Sequence, residues 1–108
     1  MTPHLPGPVA AYFSADNRNS EAVAQCFTQN ATVKDEGRKY SGRDEIKRWK
    51  ADTSTKYVYT CEPLAVEVRD EINIVTGRVT GNFPGSPVDL RYSFRLEGNL
   101  IASLEIAA

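Results

Sequence analysis

The chain has 108 residues, of which 41% are hydrophobic and 25% are charged, and its formal net charge is −1. This length suits a single domain with one core, and the composition is unlike that of a disordered chain or a membrane-spanning protein. No block of basic residues stands out, which argues against a nucleic-acid partner. The N-terminus lacks the charged and apolar regions of a signal peptide, so we expect a cytoplasmic protein that does not associate with membranes.

The N-terminal part of the chain is predicted to be helical after a short lead-in. Residues 1–7 contain two prolines and a glycine, and we interpret them as a flexible lead-in to the single domain. The first helix is expected over Val9–Asp16, with Tyr12 and Phe13 on its apolar stripe. Ser20 is predicted to cap a second helix.

A hairpin is predicted next, and it contains the most informative carboxylate of the chain. Asn30 is expected to end the second helix, and a strand follows over Ala31–Asp35. Val33 and Asp35 share one face of that strand because side chains alternate. An apolar residue and a carboxylate then point the same way, so Asp35 is the candidate pocket residue. A turn at Gly37 leads into the second strand.

A third helix is predicted over about Arg43–Asp52. Ser41 followed by Asp44 resembles a capping box, which would mark its start. Ile46 and Trp49 form its apolar stripe, and the remaining positions are mostly charged. This pattern predicts a helix that lies on the surface and docks by one edge.

The second half of the chain is rich in β-branched and aromatic residues, which favours strands. Four antiparallel strands are predicted, over Tyr57–Val68, Ile72–Asn82, Val88–Leu96 and Leu100–Ile106. Pro63 lies inside the first of them and therefore implies an edge strand or a bulge. Helices followed by a long meander indicate an α+β fold, with the helices packed on one face of a curved sheet.

Two segments carry a resemblance to a known family. They are F-T-Q-N-A-T-V-K-D at Phe27–Asp35 and S-G-R-D-E-I-K-R-W at Ser41–Trp49. Together with the order of the elements, they resemble the NTF2-like (SnoaL-like) superfamily. The resemblance implies a cone-shaped α+β barrel, in which N-terminal helices pack in a strongly bent mixed or antiparallel sheet with a small-molecule pocket. The superfamily includes isomerases, dehydratases, cyclases and binding domains, so it does not specify one activity.

Within that superfamily, the ketosteroid isomerase pattern matches in part. That family uses a tyrosine in the first helix and an aspartate at the end of A-T-V-x-D, and Tyr12 and Asp35 occupy those positions. Its third position, an acid, falls on Tyr92. The resemblance implies that Asp35 is a base and that Tyr12 and Tyr92 donate hydrogen bonds to an oxyanion. Three aromatic residues complete the predicted ligand site: Trp49, Phe13 and Phe94.

Each of these residues also has a purely structural interpretation. Asp35 would cap a turn or pair with Arg38 or Lys39 at the surface. Tyr12 and Tyr92 would be core tyrosines whose hydroxyls bond to neighbouring groups.

Other chemistries find little support in the sequence. His4, in the proline-rich lead-in, is the only histidine, and the two cysteines, Cys26 and Cys61, are too few for a zinc site. No glycine-rich phosphate loop is present, so no metal and no cofactor are predicted. Cys26 and Cys61 fit a reducing compartment, although a disulfide between them is the alternative.

Two functional hypotheses follow. The first is a cofactor-free isomerase or cyclase that acts on a small apolar carbonyl ligand. The second is a non-catalytic module for ligand binding or dimerisation. A homodimer is predicted through the outer sheet face, where Asp89 and Glu97 would pair with Arg91 and Arg95 across a two-fold axis, or where apolar residues such as Ile101 would meet.

Overall fold

The computed structural model describes residues 4–108, which form three helices and six strands. The helices are α1 (Gly7–Asp16), α2 (Ser20–Ala24) and α3 (Arg43–Lys56). The strands are β1 (Phe27–Asp35), β2 (Arg38–Ser41), β3 (Tyr59–Arg69), β4 (Ile72–Gly81), β5 (Val88–Glu97) and β6 (Leu100–Ala107). Of the predicted lead-in, residues 1–3 lie outside the described part, and Gly7 is already the first residue of α1.

The six strands form one sheet in the order β2-β1-β6-β5-β4-β3. β1 and β6 pair in parallel, and every other neighbouring pair is antiparallel. The sheet is therefore mixed, and the helices pack against it as predicted for an α+β fold. Register shifts interrupt the β1–β6, β3–β4 and β5–β6 pairs, and such irregularities bend strands. The predicted NTF2-like cone is confirmed.

Pro63 illustrates how one residue constrains the sheet. β3 is an edge strand, and its register with β4 shifts between Pro63 and Ala65. A proline has no N–H to donate to a neighbouring strand, so it is tolerated at an edge or a bulge. Pro63 therefore lies both in an edge strand and beside a bulge or irregularity, the two alternatives that the sequence predicted.

The core lies between the inner face of the sheet and the three helices. Its largest fully buried side chains come from α1, α2, α3 and every strand from β1 to β6 except β2 and β3: Tyr12, Phe27, Phe94, Ile46, Ile101, Leu104, Val9, Val23, Val33 and Val75. Val33 is among them, as the parity of β1 predicted. Burial of these apolar surfaces is the main favourable contribution to folding.

The chain enters β1 earlier than the sequence indicated. Asn19, not Ser20, caps α2, because its Oδ1 accepts a hydrogen bond from the N–H of Ala22 at 2.8 Å. β1 begins at Phe27, so the prediction that Asn30 ends the helix was wrong. Phe27 is fully buried and pairs with Ile101 of β6, so a distant strand decides the conformation of this segment.

Helix α3 begins where it was predicted and extends further. Gly42 is its N-cap, with a φ of 85°, which a glycine adopts readily. The N–H of Ser41 donates to Oε1 of Glu45 at 2.9 Å, so the capping partner is Glu45 rather than Asp44. The predicted stripe of Ile46 and Trp49 is buried. Contrary to the prediction of a surface helix with one apolar edge, the charged residue Lys50 is buried beside them.

The outer face of the sheet differs from the prediction at Ile101 and at Asp89. Ile101 is fully buried, so the proposal that it contributes to an apolar outer contact was wrong. Asp89 binds Arg78 on the neighbouring strand, at 3.0 Å between Oδ1 and Nε, with both side chains about half exposed. The homodimer itself stays a prediction.

Cys26 and Cys61 are both free thiols.

Candidate active site

A cavity of about 480 Å³ lies between the sheet and helix α3. Its walls are mostly apolar and aromatic, with contributions from β4, β5, β6 and the loop that follows β4. Polar groups reach it from the end of α1, the end of β1 and the middle of α3. A concave, largely apolar space with a few convergent polar groups is the usual form of a small-molecule site.

Asp35 lines this cavity from the last position of β1. Its Oδ2 accepts a hydrogen bond from the indole Nε1 of Trp49 at 3.0 Å. Among the described residues Asp35 therefore pairs with Trp49, and not with Arg38 or Lys39 as the purely structural interpretation predicted. Burial raises the pKa of Asp35 above its usual value, and the Trp49 hydrogen bond opposes that rise without cancelling it. Trp49 thus holds one carboxylate oxygen in place and also lines the cavity.

Replacing Asp35 with asparagine is expected to raise the free energy of unfolding at neutral pH. Burial raises the pKa of Asp35 in the folded protein, so folding favours the neutral carboxyl group over the carboxylate. The folded protein is therefore most stable below the pKa of the unfolded state, and it loses stability as the pH rises through the folded-state pKa. An asparagine carries no charge at any of these pH values, and its oxygen still accepts from Trp49. Urea denaturation of both proteins from pH 3 to pH 8 tests this, and the difference should shrink in acid.

The matched control for that titration is Asp52→Asn, which alters an exposed carboxylate on α3. Its stability should stay within about 0.5 kcal/mol of the parent, as is usual for surface substitutions. If Asp35→Asn were less stable than the parent at pH 8 and equal to it at pH 3, the direction of the Asp35 shift would be refuted.

A second polar group in the cavity is a buried ion pair that the sequence did not predict. Nζ of Lys50 lies 2.7 Å from Oδ1 of Asp16, with the two side chains 5% and 2% exposed. The same Nζ donates to the hydroxyl of Tyr59 at 3.1 Å, and that hydroxyl donates to Oδ1 of Asp16 at 3.1 Å. We call these three residues the Lys50 cluster. All three line the cavity.

The charge state of the Lys50 cluster follows from its geometry. Burial alone would lower the pKa of Lys50, but the carboxylate of Asp16 and the hydroxyl of Tyr59 outweigh it and raise the pKa. Lys50 is therefore a protonated ammonium at neutral pH and not a free amine nucleophile. A weak signal for this cluster was present in the sequence, because Asp16 follows Tyr12 by four residues and Lys50 follows Ile46 by four, which places each on a buried helix stripe.

Tyr92 reaches the cavity from β5. Its hydroxyl lies 3.4 Å from Sγ of Cys61, and either atom can be the donor. Burial raises the pKa of the Tyr92 phenol well above its usual value, and burial also raises the pKa of Cys61 to about 11. Both groups therefore keep their protons at neutral pH, and the phenol is a hydrogen-bond donor rather than a base.

Gly77 of β4 leaves room for the Tyr92 ring. A methyl group at Gly77 would lie 2.8 Å from Cε1 of Tyr92 and 3.0 Å from Sγ of Cys61, which is closer than carbon and sulfur atoms approach without displacement. We expect Gly77→Ala to lower the free energy of unfolding by about 1–3 kcal/mol, as overpacking does. Urea denaturation measures the loss. Gly7→Ala is the control, since no atom lies within 4 Å of that position, and equal stability of the two variants would contradict the prediction.

The other residues named from the sequence lie behind the cavity wall. Tyr12, Phe13 and Phe94 are buried and form an aromatic cluster with Tyr92, at ring-centroid distances between 5.2 and 6.4 Å. They are not among the residues that line the cavity. The Tyr12 hydroxyl is buried and accepts or donates no hydrogen bond among the described residues. Ligand contact by Tyr12, Phe13 and Phe94 stays a prediction.

A bent sheet closed by helices over an internal cavity defines the class of cone-shaped α+β domains. A candidate polyketide cyclase from Sinorhizobium meliloti has a similar structure, with 40% sequence identity, coverage of 94% of each chain and a TM-score of 0.89. The present chain belongs to the NTF2-like superfamily.

More distant structures agree on the fold. A hypothetical protein from Catenulispora acidiphila with a ketosteroid isomerase-like fold, in complex with trimethylamine, is 21% identical, with a TM-score of 0.86 and coverage of 97% of this chain and 87% of that one. An NTF2-like protein of unknown function from Cytophaga hutchinsonii is 17% identical, with a TM-score of 0.72 and coverage of 98% and 92%. No protein-family model and no curated protein matches the chain. Within residues 4–108, no helix is long and apolar enough to cross a membrane.

Proposed function

We propose that this protein binds a small, largely apolar carbonyl compound and catalyses proton transfer next to the carbonyl, as an isomerase or cyclase does. The observation that carries this proposal is Asp35, a carboxylate in a mostly apolar cavity with one oxygen fixed by Trp49. The similarity to a candidate polyketide cyclase at 40% identity supports the same class of chemistry.

Asp35 is suited to act as the base. A general base works best when its pKa approaches the working pH, and burial raises the pKa of Asp35 towards that range. Because Trp49 binds Oδ2, the other oxygen, Oδ1, is free of that contact and is the atom to which we assign the abstracted proton. The indole N–H also fixes the orientation of the carboxyl group, which reduces the reorganisation needed for proton transfer.

The developing negative charge on the carbonyl oxygen needs hydrogen-bond donors. Tyr92 is our first assignment, since its phenol lines the cavity and stays protonated at neutral pH. Tyr12 is the second, because its buried hydroxyl has no partner among the described residues and its ring lies 6.3 Å from that of Tyr92. Tyr12 lies behind the cavity wall, so its role as a donor requires Tyr92 to move aside.

The test is hydrogen exchange of 1-tetralone, an apolar bicyclic ketone, followed by NMR in deuterated buffer. We expect the protein to accelerate deuterium incorporation next to the carbonyl, with a rate that rises with pH as Asp35 ionises. If 1-tetralone binds, as judged by shifts of protein resonances, and its exchange stays at the buffer rate, the catalytic proposal is refuted. The protein would then be a ligand-binding module.

A further inference from the structure

We propose that the Lys50 cluster is a recognition site for a neutral hydroxyl group, so that the ligand is a hydroxylated carbonyl compound rather than a plain ketone. This inference rests on the proposed carbonyl ligand and names a second polar group on it. The cluster lines the same cavity as Asp35, and Trp49 lies between the two. Nζ of Lys50 lies 4.3 Å from the centroid of the Trp49 ring, and Nε1 of Trp49 donates a hydrogen bond to Asp35.

The first argument is the unused hydrogen-bonding capacity of the cluster. An ammonium has three N–H donors, and within the described residues Lys50 uses two of them, for Asp16 and Tyr59. Both hydrogen bonds to the Asp16 side chain end on Oδ1, so Oδ2 accepts none from the residues described. Among the described residues, one N–H of Lys50 and Oδ2 of Asp16 thus have no hydrogen-bond partner, in a cluster that lines the cavity.

The second argument is charge. Lys50 and Asp16 neutralise each other at 2.7 Å, and Tyr59 adds no charge. A ligand anion would meet the Asp16 carboxylate, and a ligand cation would meet the Lys50 ammonium, so neither gains as much as it would at an unpaired charge. A hydroxyl group accepts one hydrogen bond and donates another, which matches an adjacent donor and acceptor without transferring charge into the cavity.

The third argument is the cost of leaving the cluster without a ligand group. Buried charged groups are stable only when their hydrogen-bonding capacity is met. An apolar ligand that filled the cavity would leave this N–H of Lys50 and Oδ2 of Asp16 without a hydrogen-bond partner among the described residues. Sites of this kind therefore reject a ligand that lacks the hydroxyl more strongly than an apolar pocket rejects an added hydroxyl.

The test compares three related ligands at about pH 6, where a phenol is neutral. They share the bicyclic skeleton: 6-hydroxy-1-tetralone, 1-tetralone and 6-methoxy-1-tetralone. The ether oxygen of the methoxy compound accepts a hydrogen bond and donates none, and its methyl group adds bulk. Titrations followed by NMR should show that the hydroxyl compound binds about tenfold to a hundredfold more tightly than 1-tetralone, as a hydrogen bond to charged groups predicts. The methoxy compound should bind less tightly than the hydroxyl compound. Equal affinities for all three would overturn the proposal.

The double variant Asp16→Leu with Lys50→Met removes both charges together and should lose the preference for the hydroxyl compound. A preference that persists in the folded double variant refutes the assignment to this cluster. Should the double variant not fold, nuclear Overhauser contacts in the parent protein decide the matter. The hydroxyl-bearing edge of the ligand should contact the Lys50 side chain, and contacts only with Phe83 and Pro84 at the loop after β4 would refute the site.

This experiment separates the two proposals because it measures affinity and not turnover. If the protein prefers the hydroxyl compound but does not accelerate exchange, the Lys50 cluster is a binding site and the catalytic role of Asp35 is refuted. If the protein accelerates exchange of 1-tetralone but shows no preference among the three ligands, the catalytic role of Asp35 stands and the hydroxyl site is refuted.

Discussion

Replacing Asp35 with asparagine is expected to lower the rate of deuterium exchange of 1-tetralone by about 10²–10⁴-fold. This is the usual contribution of a positioned general base, and asparagine cannot accept a proton at neutral pH. The shape of the residue and its hydrogen bond from Trp49 are preserved, so ligand affinity should change little. The loss should therefore fall on the rate of the bound ketone and not on its binding.

The pH profile of the parent protein provides a second readout. Exchange should increase as Asp35 ionises, and its midpoint should lie above the usual pKa of an aspartate because burial raises that pKa. The control variant is Asp52→Asn on the exposed side of α3, which should keep the parent rate and profile. If the Asp35→Asn variant exchanged 1-tetralone at the parent rate, the base would be another group and not Asp35.

Replacing Lys50 alone with methionine is expected to lower the free energy of unfolding by about 3–5 kcal/mol, which is the typical effect of breaking a buried ion pair. Methionine fills a similar volume, so the loss comes from the Asp16 carboxylate, which stays buried at 2% exposure without its partner. Chemical denaturation with urea measures the change. The raised pKa of Lys50 means that its stabilisation is present below the usual lysine pKa and is lost only in alkali, as the pH rises through the folded pKa.

The double variant Asp16→Leu with Lys50→Met should recover most of that loss, because neither charge of the pair then remains. Lys47→Met is the matched control on the same helix. Its partner Glu21 and its own Nζ lie 3.0 Å apart at the surface, with side chains 64% and 50% exposed, and exposed pairs contribute about 0–1 kcal/mol. A loss at Lys50 no greater than that at Lys47 would show that the buried pair has no special importance for stability.

The local elements of this fold were predictable because their signals are local. Alternation fixed the faces of β1, and Pro63 indicated an edge strand or a bulge. The stripe of Ile46 and Trp49 located helix α3. The A-T-V-K-D segment pointed to Asp35, whose position on the cavity follows from the parity of β1.

Errors arose where a distant segment decided the outcome. Phe27 belongs to β1 rather than to a helix, because β6 supplies its pairing partner and the core supplies its burial. Ile101 alternates in sequence like an outward residue, but a register shift between Arg95 and Leu96 in the β5–β6 pair accompanies its burial. No window of a few residues contains that information.

The sequence alone determined the fold class, the order of its elements and one of the acidic residues of the cavity, since these depend on periodicity, turn residues and a short motif. Only the tertiary structure decided that Lys50, Asp16 and Tyr59 meet, because they come from α3, α1 and β3 and are separated by up to 43 positions. A charged residue in a sequence is ordinarily read as exposed, since burial of a lone charge is costly. That cost is offset only when an oppositely charged partner arrives through folding, and the partner is invisible until the chain is folded.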